Sequence, residues 1–133
     1  MERRKFISLI SMALMAFAIF FATGQGVRAQ DPNCCKYSVI AKGLPDFCYP
    51  VKLFTQWGSG LDIQGIPGNG QYFFAVPQPC PPAIFKWATL DPTFGPFVPL
   101  NGTGIFKIGN CCYEVTVKLD ANKCIVIYIL PCP

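Results

Sequence analysis

The side chains with the most chemistry to offer in this 133-residue sequence are eight cysteines: Cys34, Cys35, Cys48, Cys80, Cys111, Cys112, Cys124 and Cys132. Thiolates can grip zinc or pair as disulfides. Zinc needs ligands that converge on one tetrahedral ion, usually through two cysteines a few residues apart, often helped by histidine. No such spacing occurs, and the chain has no histidine. An even count of cysteines in an exported chain reads instead as a disulfide framework, with no metal bound. The same lack of histidine removes the commonest general base and the usual partner of a serine or cysteine nucleophile. Past Ala29 the acids are Asp31, Asp46, Asp62, Asp91, Glu114 and Asp120, scattered over separate segments. Glycoside hydrolysis needs two carboxyls held across a cleft. Asp46, Asp91 and Asp120 sit among turn-forming residues instead. The expectation is therefore a protein that is not an enzyme and uses no cofactor.

The cysteines also carry a pattern. Cys34-Cys35 followed by Cys48 is echoed by Cys111-Cys112 followed by Cys124, so that CCKYSVIAKGLPDFC aligns with CCYEVTVKLDANKC. Both halves alternate apolar and polar positions, which suggests two copies of one strand-turn-strand unit. In the second copy, Tyr113, Val115, Val117 and Leu119 fall on one face, with Glu114, Thr116 and Lys118 on the other. Asp120 to Lys123 makes the turn, and Cys124 to Leu130 returns. Pairing Leu119 with Cys124 brings Cys132 beside Cys111 and Cys112. Cys132 is expected to bond one of them and leave the other to reach across the core. Eight cysteines with two adjacent pairs are similar to the hydrophobin pattern of fungal coat proteins. The order here is pair, single, single, pair, single, single, which differs from that family, so no connectivity is carried over.

Aromatic residues supply the other candidate surface. Trp57, Phe73, Trp87, Phe94 and Phe97 are candidates for contact with a partner surface or a sugar ring. The competing role for each is filling a small core. Phe73 and Phe74 are adjacent, so one faces in and one out. Phe94 and Phe97 fall in a Pro/Gly-rich stretch where burial is hard. Asn101-Gly102-Thr103 has the form of a glycosylation sequon and equally that of a tight turn, and the turn is the favoured reading.

The elements that must carry these residues read as strands at 36–42, 47–54, 61–66, 71–76, 83–89, 104–108, 112–119 and 124–130. Turn signals separate them: Gly43-Leu44-Pro45-Asp46, Pro67-Gly68-Asn69-Gly70, Pro77 to Pro82, and Asp91 to Pro99. No capped apolar stripe of helical period appears. The fold class expected is all-β: a small disulfide-stapled β-sandwich or barrel of about 7–8 short strands, preceded by a signal peptide. The nearly uninterrupted apolar run Ile125 to Leu130 belongs either at the centre of a sheet or against another subunit.

That targeting segment is residues 1–29. Arg3, Arg4 and Lys5 precede an apolar run from Phe6 to Ala22, and Val27-Arg28-Ala29 suits a signal peptidase. The five residues from Arg3 to Ile7 resemble the twin-arginine export signal, whereas the strongly apolar run after them fits the general secretory route. Cleavage leaves residues 30–133 as one domain with no membrane span. If the segment is retained, it anchors the same domain outside the membrane. The domain has seven lysines, six carboxylates and no arginine, a net charge of about +1. No basic patch remains to follow a phosphate backbone, which speaks against nucleic acid. The expected protein is a secreted structural or interaction protein of the cell surface or extracellular space, with the periplasm as the alternative compartment. Its expected partner is a protein, either itself or another surface protein. Self-assembly is part of that expectation, since near-neutral charge lowers repulsion between copies. The alternatives are a monomeric glycan- or ligand-binding module using exposed aromatics, and a secreted inhibitor or effector presenting stapled loops.

Overall fold

The computed structural model describes residues 34–77 and 84–133. Residues 1–29, read above as a targeting segment, and Cys80 lie outside the described residues. Eight strands follow one another: β1 (Lys36–Ala41), β2 (Val51–Trp57), β3 (Gly60–Ile66), β4 (Gly70–Ala75), β5 (Phe85–Thr89), β6 (Thr103–Ile108), β7 (Cys111–Leu119) and β8 (Ile125–Pro131). They form a two-sheet sandwich, with one sheet in the order β4-β1-β8-β7-β6 and the other β3-β2-β5. Every pairing is antiparallel except β1 with β8. The chain therefore meets the sandwich alternative rather than the barrel.

One core lies between the sheets. From the large sheet come Tyr37, Val39, Val115, Val117, Ile127 and Ile129; Leu53, Trp57, Ile66 and Ala88 come from the small one. Strand β7 alternates as the sequence implies, with Tyr113, Val115 and Val117 buried and Glu114 and Thr116 half-exposed on the outer face. The apolar strand β8 takes the centre of the large sheet, flanked by β1 and β7. Its inner face, Ile125, Ile127 and Ile129, is fully buried, and on its outer face Val126 is buried while Tyr128 and Leu130 are half-buried.

Register and staples fit together. Leu119 stands opposite Ile125, one residue beyond the pairing expected from the sequence. The Asp120 carboxylate accepts hydrogen bonds from the backbone N–H groups of Asn122 (2.8 Å) and Cys124 (2.9 Å), and Lys123 adopts positive φ. This wraps the turn around Asp120 and delays the return strand by one position. Extending the same register puts Cys112 opposite Cys132, and these two are bonded. Its neighbour Cys111 faces the core and bonds Cys48. Cys34 bonds Cys124, and Cys35 is disulfide-bonded as well.

The repeated cysteine pattern is only partly structural repetition. The bonds are reciprocal: the first cysteine of each copy pairs with the third of the other. The first copy is not a hairpin, however. After β1, Gly43 at φ +82 and Pro45 turn the chain into a 3₁₀ turn at Asp46–Cys48, which crosses to the other sheet. Strand β2 consequently begins at Val51, later than the pattern suggested, and runs to Trp57.

Candidate functional site

The outer face of the three-stranded sheet is built on an inversion in β3. An edge strand reading Leu-Asp-Ile-Gln is expected to bury its leucine and isoleucine and expose its polar residues. Here Asp62 stands opposite fully buried Thr55, and Gln64 opposite fully buried Leu53, so both polar side chains face inward. Leu61 and Ile63 consequently face solvent, about half exposed (51% and 50%). Two contacts hold this register. The Tyr37 hydroxyl, reaching across the core from β1, donates to Asp62 Oδ2 at 2.7 Å. Gln64 Nε2 donates to the same carboxylate. A slip by one residue would bury the two aliphatics but turn Asp62 out to solvent and take the acceptor from the buried Tyr37 hydroxyl.

The neighbouring strands continue the surface. Register aligns Leu61 with Gln56 and Trp87 in one row, and Ile63 with Phe54 and Thr89 in the next. The loop after β5 folds back on this face. Thr89 Oγ1 donates to the Asp91 carbonyl and accepts from the Asp91 N–H. Asp91 in turn accepts from the N–H groups of Thr93 and Phe94 through Oδ1 and from Gly95 through its carbonyl. This knot brings Phe97 edge-on against Trp87, ring centroids 4.7 Å apart. Phe94 is left at the loop tip, 87% exposed. Phe54, Leu61, Ile63, Trp87 and Phe97 thus make an apolar face bordered by Lys52.

The aromatic candidates divide accordingly. Trp87, Phe94 and Phe97 belong to this face and its loop. Phe73 is exposed too, but on the outer face of the other sheet, opposite Ser38 of β1. Trp57 is no surface residue: it is fully buried, with its Nε1–H donating to Thr55 Oγ1 at 2.7 Å and its ring packed on Tyr37 and Phe85. It faces inward as the last of the alternating residues Val51, Leu53, Thr55 and Trp57 of β2. Leu61 and Ile63 escaped the sequence reading because alternation alone does not say which set faces the core. The one available signal is the polar pair Asp62 and Gln64 sharing their strand.

A concavity of about 290 Å³ opens on the outer face of the large sheet. It is lined by Lys42, Glu114, Thr116, Lys118, Tyr128 and Leu130. Its lining holds a single carboxylate, so it offers no acid–base pair of carboxyls. Among the described residues, no three His, Cys, Asp or Glu side chains gather as a metal site would require. No helix among them is long and apolar enough to cross a membrane.

Comparison with protein-family models, curated proteins and solved structures finds no match.

The Tyr37–Asp62 contact makes the geometry of β3 sensitive to alkali. Burial pushes the Tyr37 hydroxyl far above the ordinary tyrosine range; Thr55 opposes the shift and Asp62 adds to it. Burial also raises Tyr49 and Tyr113. An unfolded tyrosine ionises near pH 10, roughly, so above that value the unfolded chain sheds protons that the folded one retains. Stability from these groups is complete below about pH 10 and falls as pH rises further. Urea midpoints measured from pH 8 upward are expected to hold level and then drop. Tyr37→Phe should start lower, having lost the bond to Asp62, and decline less steeply. Parallel declines in the two proteins would contradict the assignment to Tyr37.

Proposed function

We propose that this chain is a non-enzymatic structural protein of the cell surface or extracellular space, which associates with further copies of itself. The observation that carries the reading is the inverted β3, which turns polar Asp62 and Gln64 inward and presents Leu61 and Ile63 beside Phe54, Trp87 and Phe97. Contiguous apolar surface on a soluble domain marks a contact site. The near-zero net charge of residues 30–133 leaves little repulsion between copies. Disulfides joining distant parts of the chain suit an oxidising compartment. The aromatics favour protein contact over sugar stacking, because they form no single flat row. Trp87 and Phe97 meet edge to face, and Phe73 lies on the other sheet.

The test is light scattering on the oxidised domain from Gln30 onward, across a concentration series, beside the double variant Leu61→Lys/Ile63→Lys. Average mass is expected to rise with concentration in the parent and to rise less in the variant. A parent that stays monomeric throughout would overturn the reading and send the aromatic residues to a glycan-binding screen.

A further inference from the structure

A β-sandwich of two open sheets has four edges, and three of them here carry a device against pairing with another chain. Strand β3 turns the charged side chain of Asp62 inward. Strand β5 carries Lys86 and is partly covered by Val98, which exchanges backbone hydrogen bonds with Ala88 at 2.9 and 2.7 Å. Strand β6 carries Lys107. Charges on the edge, inward charges and covering segments are the usual ways of blunting a strand edge. Among the described residues the fourth edge, β4, has none of them. Its sequence, Gly-Gln-Tyr-Phe-Phe-Ala, holds neither charge nor proline, and among the described residues it pairs only with β1.

The ladder fixes which backbone groups that edge presents. The N–H of Val76 bonds the carbonyl of Cys35 across from it. Hydrogen-bonded and non-hydrogen-bonded pairs alternate in an antiparallel ladder. In this register Phe74, Tyr72 and Gly70 therefore also bond toward β1, while Gln71, Phe73 and Ala75 aim their N–H and C=O groups outward. These are the three residues whose side chains lie on the solvent face, and Phe73 among them is 65% exposed.

Three outward-facing residues spaced two apart are self-complementary about their centre. We infer that β4 pairs antiparallel with β4 of a second copy, on a two-fold axis at Phe73, joining the five-stranded sheets of both copies into one. In that register Gln71 faces Ala75 of the second copy and Phe73 faces its counterpart, so all three outward donors and all three acceptors of each chain are satisfied. The Phe73 rings meet on one face of the joined sheet. On the other, Tyr72 of each copy faces Phe74 of its mate, covering rings that are half-buried in the single chain. Cross-strand aromatic pairs are favourable, and with no charge on the strand no like charges oppose. Such a contact is isologous and closes as a dimer. The inference rests on the self-associating reading above and names one of its contacts; the apolar face of the small sheet would then join dimers into larger arrays.

The experiment combines sedimentation velocity with amide hydrogen exchange on the oxidised domain from Gln30 onward, at low and high concentration. The parent, Phe73→Lys and Leu61→Lys/Ile63→Lys are compared. The dimer predicts that the Gln71, Phe73 and Ala75 amides exchange freely when dilute and become protected when concentrated. It also predicts that Phe73→Lys, a change at an exposed position, weakens dimerisation by about tenfold or more. The small-sheet variant should still dimerise. Association that survives Phe73→Lys, leaves those three amides unprotected and is lost in the small-sheet variant would overturn the β4 contact while sparing the structural reading. A parent monomeric at every concentration would overturn both.

Discussion

Replacing both Cys48 and Cys111 with alanine is expected to lower the unfolding free energy by about 3–4 kcal/mol. This bond joins residues 63 apart in sequence and links the 3₁₀ turn that leads into the small sheet to the start of β7 in the large one. In the chain-entropy account a loop of that length stabilises by roughly 4 kcal/mol. The Cys34–Cys124 bond already draws the same stretches together and shortens the loop that remains to be closed, which brings the expectation toward the lower end. Both sulfurs sit in core side chains, so their loss also leaves space between the sheets. The Tyr113 hydroxyl, which donates to the Cys48 carbonyl, would lose the fixed position of its acceptor. Urea unfolding of the otherwise oxidised protein checks the figure. The Cys112–Cys132 pair closes only 20 residues within a hairpin already held by its own ladder, and its removal should cost less. The reverse ranking would show that the hairpin, not the bond between sheets, limits stability.

Trp57→Ala is expected to cost about 3–5 kcal/mol. The side chain is fully buried between Tyr37 and Phe85, with ring centroids 5.0 and 5.1 Å away, so its removal leaves a large cavity in the core. Its loss also leaves the buried Thr55 hydroxyl without the indole donor. Trp57→Phe keeps most of the apolar volume and should cost less, about 1–3 kcal/mol, chiefly through that hydrogen bond. Thermal or urea unfolding of the two variants gives both numbers. A cost below about 1 kcal/mol for the alanine variant would mean that the sandwich does not depend on Trp57, contrary to its burial.

Trp57 and strand β3 mark where local sequence patterns stop deciding the structure. Strand positions were legible because turn residues punctuate them at short intervals: Pro67 to Gly70 ends β3, and Asp91 to Pro99 ends β5. The faces of β7 were legible because its alternation has polar residues on one side only. The nearly absent polar face of β8 left two places for it, the centre of a sheet or a subunit contact, and the structure has it at the centre. Trp57 was harder, since a tryptophan beside a Gly-Ser turn fits a surface and a core equally well. It lies inward because it continues the alternation of Val51, Leu53 and Thr55 along β2, whose inner face is set by the large sheet packed against it. The same holds for β3, whose alternation was plain but whose inward side was set by Tyr37 of a strand in the other sheet.

The sequence by itself determined an all-β chain, its strand boundaries to within a few residues, and a hairpin that brings Cys132 to an adjacent cysteine pair. These follow from local causes: side-chain alternation, turn chemistry and the short span of a hairpin. Only the tertiary structure decided that Cys111 bonds Cys48, that Leu61 and Ile63 face outward, and that β4 is left as the uncharged edge. Each of those depends on which strands from distant parts of the chain become neighbours. A period-two pattern marks two faces without saying which one another sheet will cover.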